Sequence, residues 1–347
     1  MTILGIETSC DETSAAVVRT GSQNKAIVLS NITASSLKLH AATGGIIPEV
    51  ASRKQLEYII PVIKKALKNA ELDISQIDAI AVTEGPGLIG ALLIGVETAK
   101  ALGYCLNKPI VPVNHLIGHI YANLVSKDQK PDTEIEFPAI GLIVSGGHTD
   151  LILMKKHGKI QWLGGTRDDA AGEALDKIGR LLGFSYPAGP VIEKEAKKGN
   201  PKTFNFPRPL LNSADFDFSF SGLKTAVLRE IKTIKQFNNS TISNVCASAQ
   251  QAIIDVVTKK ILTAARNYKA KSILLGGGVS ANQKLRDDLK LGVKRHCPDA
   301  AIFTPPKWLC TDNAAMIAGA ALFNYNPVPW KKITANPELY FETFSTS

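Results

Sequence analysis

The chain has 347 residues, 45% of them hydrophobic, with 40 Lys plus Arg against 31 Asp plus Glu and a formal charge of +9. That length suits two domains of common size, and the charge favours a polyanionic partner without requiring one. Five scattered cysteines (Cys10, Cys105, Cys246, Cys297, Cys310) are odd in number and form no C-x-x-C pair, which argues against a disulfide framework and a zinc knuckle.

The opening "TILGIETSCDETSAAVV" has no basic n-region and turns acidic at Glu7, Asp11 and Glu12. It does not read as a secretory signal or an Arg-rich transit peptide, so a cytoplasmic protein is expected. Apolar alternation on both sides of Thr8 to Thr13 predicts strand, polar turn, strand. An amphipathic helix in "QLEYIIPVIKKALKNA", a strand in "IDAIAVTEG" and a helix from Gly87 follow. The apolar run Leu88 to Val96 stops at Glu97 and Lys100, short of the ~20 residues of a membrane span, and predicts a soluble chain.

"VNHLIGHI" then places His115 and His119 four residues apart, on one face of a helix. Alone, that spacing fits a metal-ligand pair or one packed and one solvated ring. A zincin needs H-E-x-x-H, and Leu116 occupies the glutamate position, so metalloprotease chemistry is rejected.

"SKDQKPDTEIEF", residues 126–137, is polar, proline-containing and aperiodic, and divides the chain into domains of 1–130 and 131–305. Beyond it "AIGLIVSGGHTDLILM" repeats the hairpin plan around Gly146 and Gly147, a pair favoured where both central turn positions take positive φ. "GTRDDAAGEALDKIGRLLG" groups Asp169, Glu173 and Asp176 along one helical face, and Phe216, Phe218 and Phe220 of "FDFSFSG" read as the buried side of a strand. Lys197, Lys198, Lys202, Arg208 and Lys224 lie nearby in sequence and are candidate contacts for a polyanion. A long helix around "VCASAQQAIIDVVTKKILTAA" precedes "SILLGGGVSAN", where three glycines follow a strand and Ser280 is placed to cap the next helix. The loop matches neither G-x-G-x-x-G nor G-x-x-x-x-G-K-[ST], so Rossmann and P-loop readings fail. Hairpins and helix-flanked sheets in both halves predict an α/β architecture with a cleft between domains as the default ligand site, a layout resembling the actin-like (ASKHA) kinases and chaperones.

Nine ordered motifs sharpen that likeness: "GIETSCDET", "GGIIPEVASR", "GPGLIGALLIG", "NHLIGH", "VSGGHT", "DDAAGEALDK", "FDFSFSGLKT", "GGGVSAN" and "CTDNAAMIA". Together, from Ile3 to about Leu322, they resemble the TsaD family, the tRNA N6-adenosine threonylcarbamoyltransferases. The resemblance implies the two-domain actin-like (ASKHA) fold and transfer of a threonylcarbamoyl group from threonylcarbamoyl-AMP to N6 of adenosine 37 in tRNAs reading ANN codons. It makes Asp312 of "CTDN" the third ligand beside His115 and His119, with a helix over about 306–325 folding back onto the first domain. Two imidazoles and a carboxylate suit Fe(II) or Zn(II). The resemblance also assigns Ile143, Val144, Ser145, Gly146 and Gly147 to the donor-binding loop, Asp176, Gly189, Glu193 and Asn282 to other nucleotide or donor contacts, and Asp11 to a catalytic role facing the phosphates. Expected partners are tRNA, a TsaB-like paralogue docking on the first domain through the apolar helix Leu88 to Leu102, and a TsaE-like ATPase. Departures from the family pattern are Gln55 for a frequent histidine, Ala188 for a usual glycine and Ile117 for a usual glutamate. The competing functions are an actin-like small-molecule kinase and a nucleotide-gated binding module, and the metal triad discriminates against both. The last ~20 residues, from "NYNPVPW", match no motif.

Overall fold

The computed structural model describes residues 1–21, 25–36, 47–127, 134–234 and 238–341. Residues 128–133 of the expected linker and the first three of "GGIIPEVASR" lie outside these. The chain forms two compact units, one of Met1–Glu134, His157–Lys159 and Pro305–Ser347, the other of Ile135–Lys156 and Ile160–Thr304.

The first unit begins with β1 (Thr2–Glu7), β2 (Glu12–Thr20) and β3 (Ala26–Ser35), followed by α1 (Pro48–Asn69), β4 (Ala79–Gly85), α2 (Ile89–Leu106), β5 (Ile110–Asn114), α3 (His115–Tyr121) and the short β6 (Val125–Ser126). Its sheet runs β5-β4-β1-β2-β3-β6. β2 is antiparallel to both neighbours and the other pairs are parallel. All six β1 residues are buried, the continuous pattern of a strand covered on both faces. On one face Leu4, Ile6, Ala15 and Val17 pack with Ile59, Val62 and Ile63 of α1 and Val96 and Ala99 of α2.

The second unit holds β7 (Ala139–Val144), β8 (Thr149–Lys156), β9 (Lys159–Gly165), α4 (Ala171–Leu181), α5 (Gly189–Ala196), α6 (Ser221–Thr233), α7 (Asn239–Asn267), β10 (Ser272–Gly276), α8 (Gln283–His296) and β11 (Ala301–Phe303). The sheet order is β11-β10-β7-β8-β9. Its core joins Ile140, Leu142 and Leu151 of the sheet to Leu175 and Ile178 of α4, Ile253 and Val257 of α7 and Leu289 of α8.

The chain then returns to the first unit as α9 (Ala314–Phe323), whose buried, alanine-rich surface covers the second face of β1. Small residues permit this approach: a Cβ at Gly5 would stand 2.4 Å from the Ala314 carbonyl oxygen. Two backbone amides of α9 are tied to the sheet, Ala314 N donating to Ser14 Oγ (2.9 Å) and Ala315 N to Asn31 Oδ1 (3.2 Å). The segment after α9, silent in sequence, belongs to the same unit. Val328 N donates to Ile110 O (2.8 Å) and Asn336 N to Glu84 O (2.8 Å), while Ile333, Leu339 and Phe341 are buried.

Several local expectations need correction. The apolar run Leu88 to Val96 is only the first part of α2, which continues past Glu97 and Lys100 to Leu106. Lys100 and Glu97 pair at 2.7 Å on its exposed side, and the helix runs 18 residues, long and apolar enough by composition to cross a membrane. Its Ala91, Leu92, Gly95, Val96, Ala99 and Gly103 are buried. Phe218 and Phe220 are buried, but their segment makes only the single bridge Thr166–Phe218, because α6 begins at once at Ser221. Neither Gly146 nor Gly147 takes positive φ, so the second hairpin is not closed by the turn that Gly-Gly suggested. Asp169 precedes α4 rather than sharing its face with Glu173 and Asp176. Ser280 is not the cap of α8. Gly277, at φ 87°, admits a short 3-10 turn over Gly278–Ala281, which delays the helix so that Asn282 caps it, accepting from Leu285 N at 3.0 Å.

α6 has no cap from its own N-cap residue, Phe220. Asp168 supplies one from a distance, accepting from Phe220 N (2.7 Å), Ser221 N (3.2 Å), Ser221 Oγ (2.9 Å) and Ser219 Oγ. Burial opposes ionisation of Asp168, but these donors hold its carboxyl below the usual range. A lowered folded-state value means the contribution is complete above the unfolded value, near pH 4, and fades as pH falls through the folded one. Asp168→Ala should therefore lose about 1–2 kcal/mol at neutral pH, as caps do, and the gap from the parent should narrow in urea unfolding at pH 3. An equal gap at both pH values contradicts the assignment.

Candidate metal centre

Asn114, at the end of β5, caps α3 by accepting from Leu116 N (2.9 Å) and Ile117 N (3.3 Å). The helix therefore starts at His115, and its first and fifth residues are the two histidines. Their rings are 4.7 Å apart and nearly perpendicular. Asp312 sits just before Asn313, which caps α9 by accepting from Met316 N at 2.9 Å. Asp312 Oδ1 lies 3.5 Å from His115 Nε2 and 3.2 Å from His119 Nε2.

The three ligand atoms fall within 4.8 Å of one another. Ligands about 2.0–2.2 Å from a common ion stand roughly 3.0–3.5 Å apart for near-octahedral or tetrahedral angles, so the 3.5 and 3.2 Å separations of Asp312 Oδ1 from the two Nε2 atoms suit a shared cation. His119 Nδ1 is buried without a partner, and His115 Nε2, 3.5 Å from Asp312 Oδ1, is poorly served by a direct hydrogen bond at that length. The residues present fit a metal ion, and all three belong to the first unit.

The electrostatics are crowded with acid. Burial would raise the carboxyl of Glu7, but the hydrogen-bonded His115 imidazolium brings it below its ordinary value. Burial likewise opposes charge on His115, yet Glu7 and Asp312 lift it to about 9, whereas burial prevails at His119 and lowers it. Glu12 is pushed up to about 10 by burial and by the charges of Asp312 and Asp11, so this carboxyl is neutral near pH 7. Burial drives the Cys10 thiol well above its ordinary value. A cation among these groups would relieve the mutual repulsion.

The profile of the TsaD family, described as tRNA N6-adenosine threonylcarbamoyltransferase, matches residues 27–319. Among curated proteins carrying that description, one from Moorella thermoacetica is 49% identical over 325 residues, covering 93% of this chain and 92% of its own. Another, from Syntrophomonas wolfei, is 47% identical over 334 residues, covering 96% and 95%. This chain belongs to the TsaD family. Among solved structures, HypF from T. kodakarensis superposes with a TM-score of 0.62 at 14% identity, covering 93% of this chain and 47% of HypF. The shared architecture is the actin-like (ASKHA) fold, with two mixed sheets flanked by helices.

In this TsaD-family chain the remaining sequence-predicted residues fall into two places. Asp11 lies in the β1–β2 turn of the first unit, buried, with Oδ2 unpartnered. Gln55 braces that turn, its Nε2 within 3.0–3.3 Å of the carbonyl oxygens of Thr8, Cys10 and Glu12. The others are in the second unit. Ile143 and Val144 are buried strand residues. At Gly146 and Gly147 a Cβ would meet nothing within 4 Å, and Ser145 Oγ accepts from His148 N at 3.0 Å. Asp176 accepts from Ala188 N (2.7 Å) and the Gly189 amide, so it is already committed to the turn before α5. Glu193 Oε1 accepts from Gln283 N at 3.0 Å, and Asn282 uses Nδ2 on Gln250 Oε1 (2.7 Å) and Oδ1 on its helix. Ala188 is accommodated because Gly179 stands opposite it. Of the basic residues, Lys198 pairs with Glu195 and Arg208 with Asp255, both at 2.7 Å, and Lys197 lies 3.9 Å from Glu193.

Sequence reasoning missed one member of the centre. Glu7, at the end of β1, lies 3.0 Å from His115 Nδ1. An acid closing an otherwise apolar buried strand was the available signal.

Proposed function

We propose that this chain transfers the threonylcarbamoyl group of threonylcarbamoyl-AMP to N6 of adenosine 37 in tRNAs reading ANN codons, with a metal ion held by His115, His119 and Asp312. The observation that carries the reading is the convergence of those three side chains within 4.8 Å in a chain of the TsaD family. Fe(II) or Zn(II) suits two imidazoles and a carboxylate. When bound, such an ion supplies Lewis-acid polarisation of donor oxygens.

The chain's own residues supply the rest. Ser145, Gly146 and Gly147 offer backbone amides to anionic donor oxygens, and the absence of a side chain at both glycines lets a ligand approach the backbone. Ile143 and Val144 contribute backbone only, their side chains being buried. Glu193 and Asp176 present carboxylates to ribose hydroxyls, and Gly189 and Asn282 complete that surface, with Asn282 and Asp176 giving up an internal contact to do so. Asp11, unpartnered at Oδ2 and next to a neutral Glu12, is the group proposed to receive the proton that N6 loses on acylation.

Partners follow the same reading. Leu56 and Ile60 of α1 and Ile89 and Leu93 of α2 are exposed on two helices that pack together, an apolar face proposed for a TsaB-like paralogue. A TsaE-like ATPase and a cytoplasmic location complete the proposal. Reconstitution of the purified chain with threonylcarbamoyl-AMP, tRNA and those partners should yield threonylcarbamoyladenosine by nucleoside mass spectrometry. Stripping the metal should abolish it and adding back Fe(II) or Zn(II) should restore it. No modified adenosine under any metal condition contradicts the assignment.

A further inference from the structure

An acid inside an all-buried strand needs a reason. Glu7 is fully buried at the end of β1, where an unsatisfied carboxylate would cost several kcal/mol. Among the described residues two assigned donors and one imidazole nitrogen face its oxygens. Ser9 N donates to Oε1 (2.5 Å), Thr83 Oγ1 from β4 donates to Oε2 (2.6 Å), and His115 Nδ1 stands 3.0 Å from Oε2. Ser9 Oγ closes the same corner, 3.1 Å from Nδ1.

We infer that Glu7 is the positioning residue of the centre: by accepting the Nδ1–H of His115 it fixes the ring's orientation and tautomer, so that Nε2 presents its lone pair toward His119 and Asp312. The inference rests on the metal reading above. Ser9 N and Thr83 Oγ1 donate to Glu7 whatever the tautomer of His115, so a carboxylate is the species that belongs there, and the Nδ1 that faces this acceptor carries the proton. Its oxygens face the rear of the His115 ring while Asp312 faces Nε2, which separates Glu7 from the glutamate of a metalloprotease. The two ligands are thus unequal: His119 has no partner at Nδ1, and the centre is oriented from one side.

Glu7→Gln keeps the volume but places an NH2 among donors. To be satisfied, that amide would turn His115 to accept at Nδ1, putting the proton on Nε2 and blocking coordination. Zn(II) affinity of the full chain, measured by competition with a chromophoric chelator, should fall 10–100-fold for Glu7→Gln and recover in part for Glu7→Asp, which keeps the charge. A purely structural role would lower the unfolding midpoint of the metal-free protein without this split between the two variants. Equal Zn(II) affinity in Glu7→Gln and the parent overturns the proposal. Should Glu7→Gln not fold, long-range 15N–1H spectra of the Zn(II)-loaded parent decide: Nδ1–H on His115 is expected, and a proton on Nε2 overturns it. If the parent takes up neither Zn(II) nor Fe(II), the metal reading fails on its own. The same spectrum of the metal-free parent at alkaline pH then still tests which nitrogen Glu7 holds protonated.

Discussion

Asp312→Ala should leave a folded protein that no longer retains its metal and forms no threonylcarbamoyladenosine. Removing outer partners of metal ligands typically costs 10–100-fold in affinity, and loss of a direct ligand should exceed that. The substitution is mild for the fold. Asp312 is partly exposed, its side chain at 21%, and Asn313, not Asp312, caps α9. Elemental analysis of the purified variant should give near-zero Fe and Zn where the parent gives about one ion per chain, with an unfolding midpoint close to the metal-free parent. A variant that keeps its full metal content would move the centre elsewhere.

Gly5→Ala should damage both stability and metal binding, although Gly5 touches no ligand. Its added Cβ would meet the Ala314 carbonyl oxygen at 2.4 Å and the Ala318 Cβ at 3.0 Å, so either β1 or the start of α9 must move. Overpacking of this kind costs about 1–3 kcal/mol, and a clash with backbone sits at the upper end. The segment displaced is the one that delivers Asp312, two residues before Ala314. Urea unfolding should show the loss and chelator competition should show weaker metal retention. Gly146→Ala, where nothing lies within 4 Å, is the control and should leave stability almost unchanged. Equal losses in the two variants would contradict the packing argument.

These two results rest on parts of the molecule that differ in how readily the sequence disclosed them. The hairpin of β1 and β2 and the i, i+4 histidines on one helix are local patterns, and the structure has both, whereas Asp312 joined the histidines only through the family resemblance. Fully buried strands such as β1 declare themselves because both faces need apolar residues. What stayed hidden depends on contacts far apart in sequence. Glu7 meets His115 across 108 residues and Thr83 across 76. Asp168 caps a helix 53 residues ahead. Neither carries a spacing signature. Ser280 was a reasonable cap by type, but a positive φ at Gly277 moved the helix start, and backbone conformation of that kind is not written in side-chain chemistry. The tail after α9 lacks periodicity because it binds as a strap of single hydrogen bonds and isolated apolar anchors.

The convergence of His115, His119 and Asp312 on one cation is the centre of the account. It is tested most directly by X-ray diffraction at the iron and zinc absorption edges from crystals of the metal-replete chain. The predicted result is a single anomalous peak about 2.0–2.2 Å from His115 Nε2, His119 Nε2 and a carboxylate oxygen of Asp312, with Nδ1 of His115 turned to Glu7. Well-ordered side chains with no peak between them, or a peak bound by other residues, would contradict it.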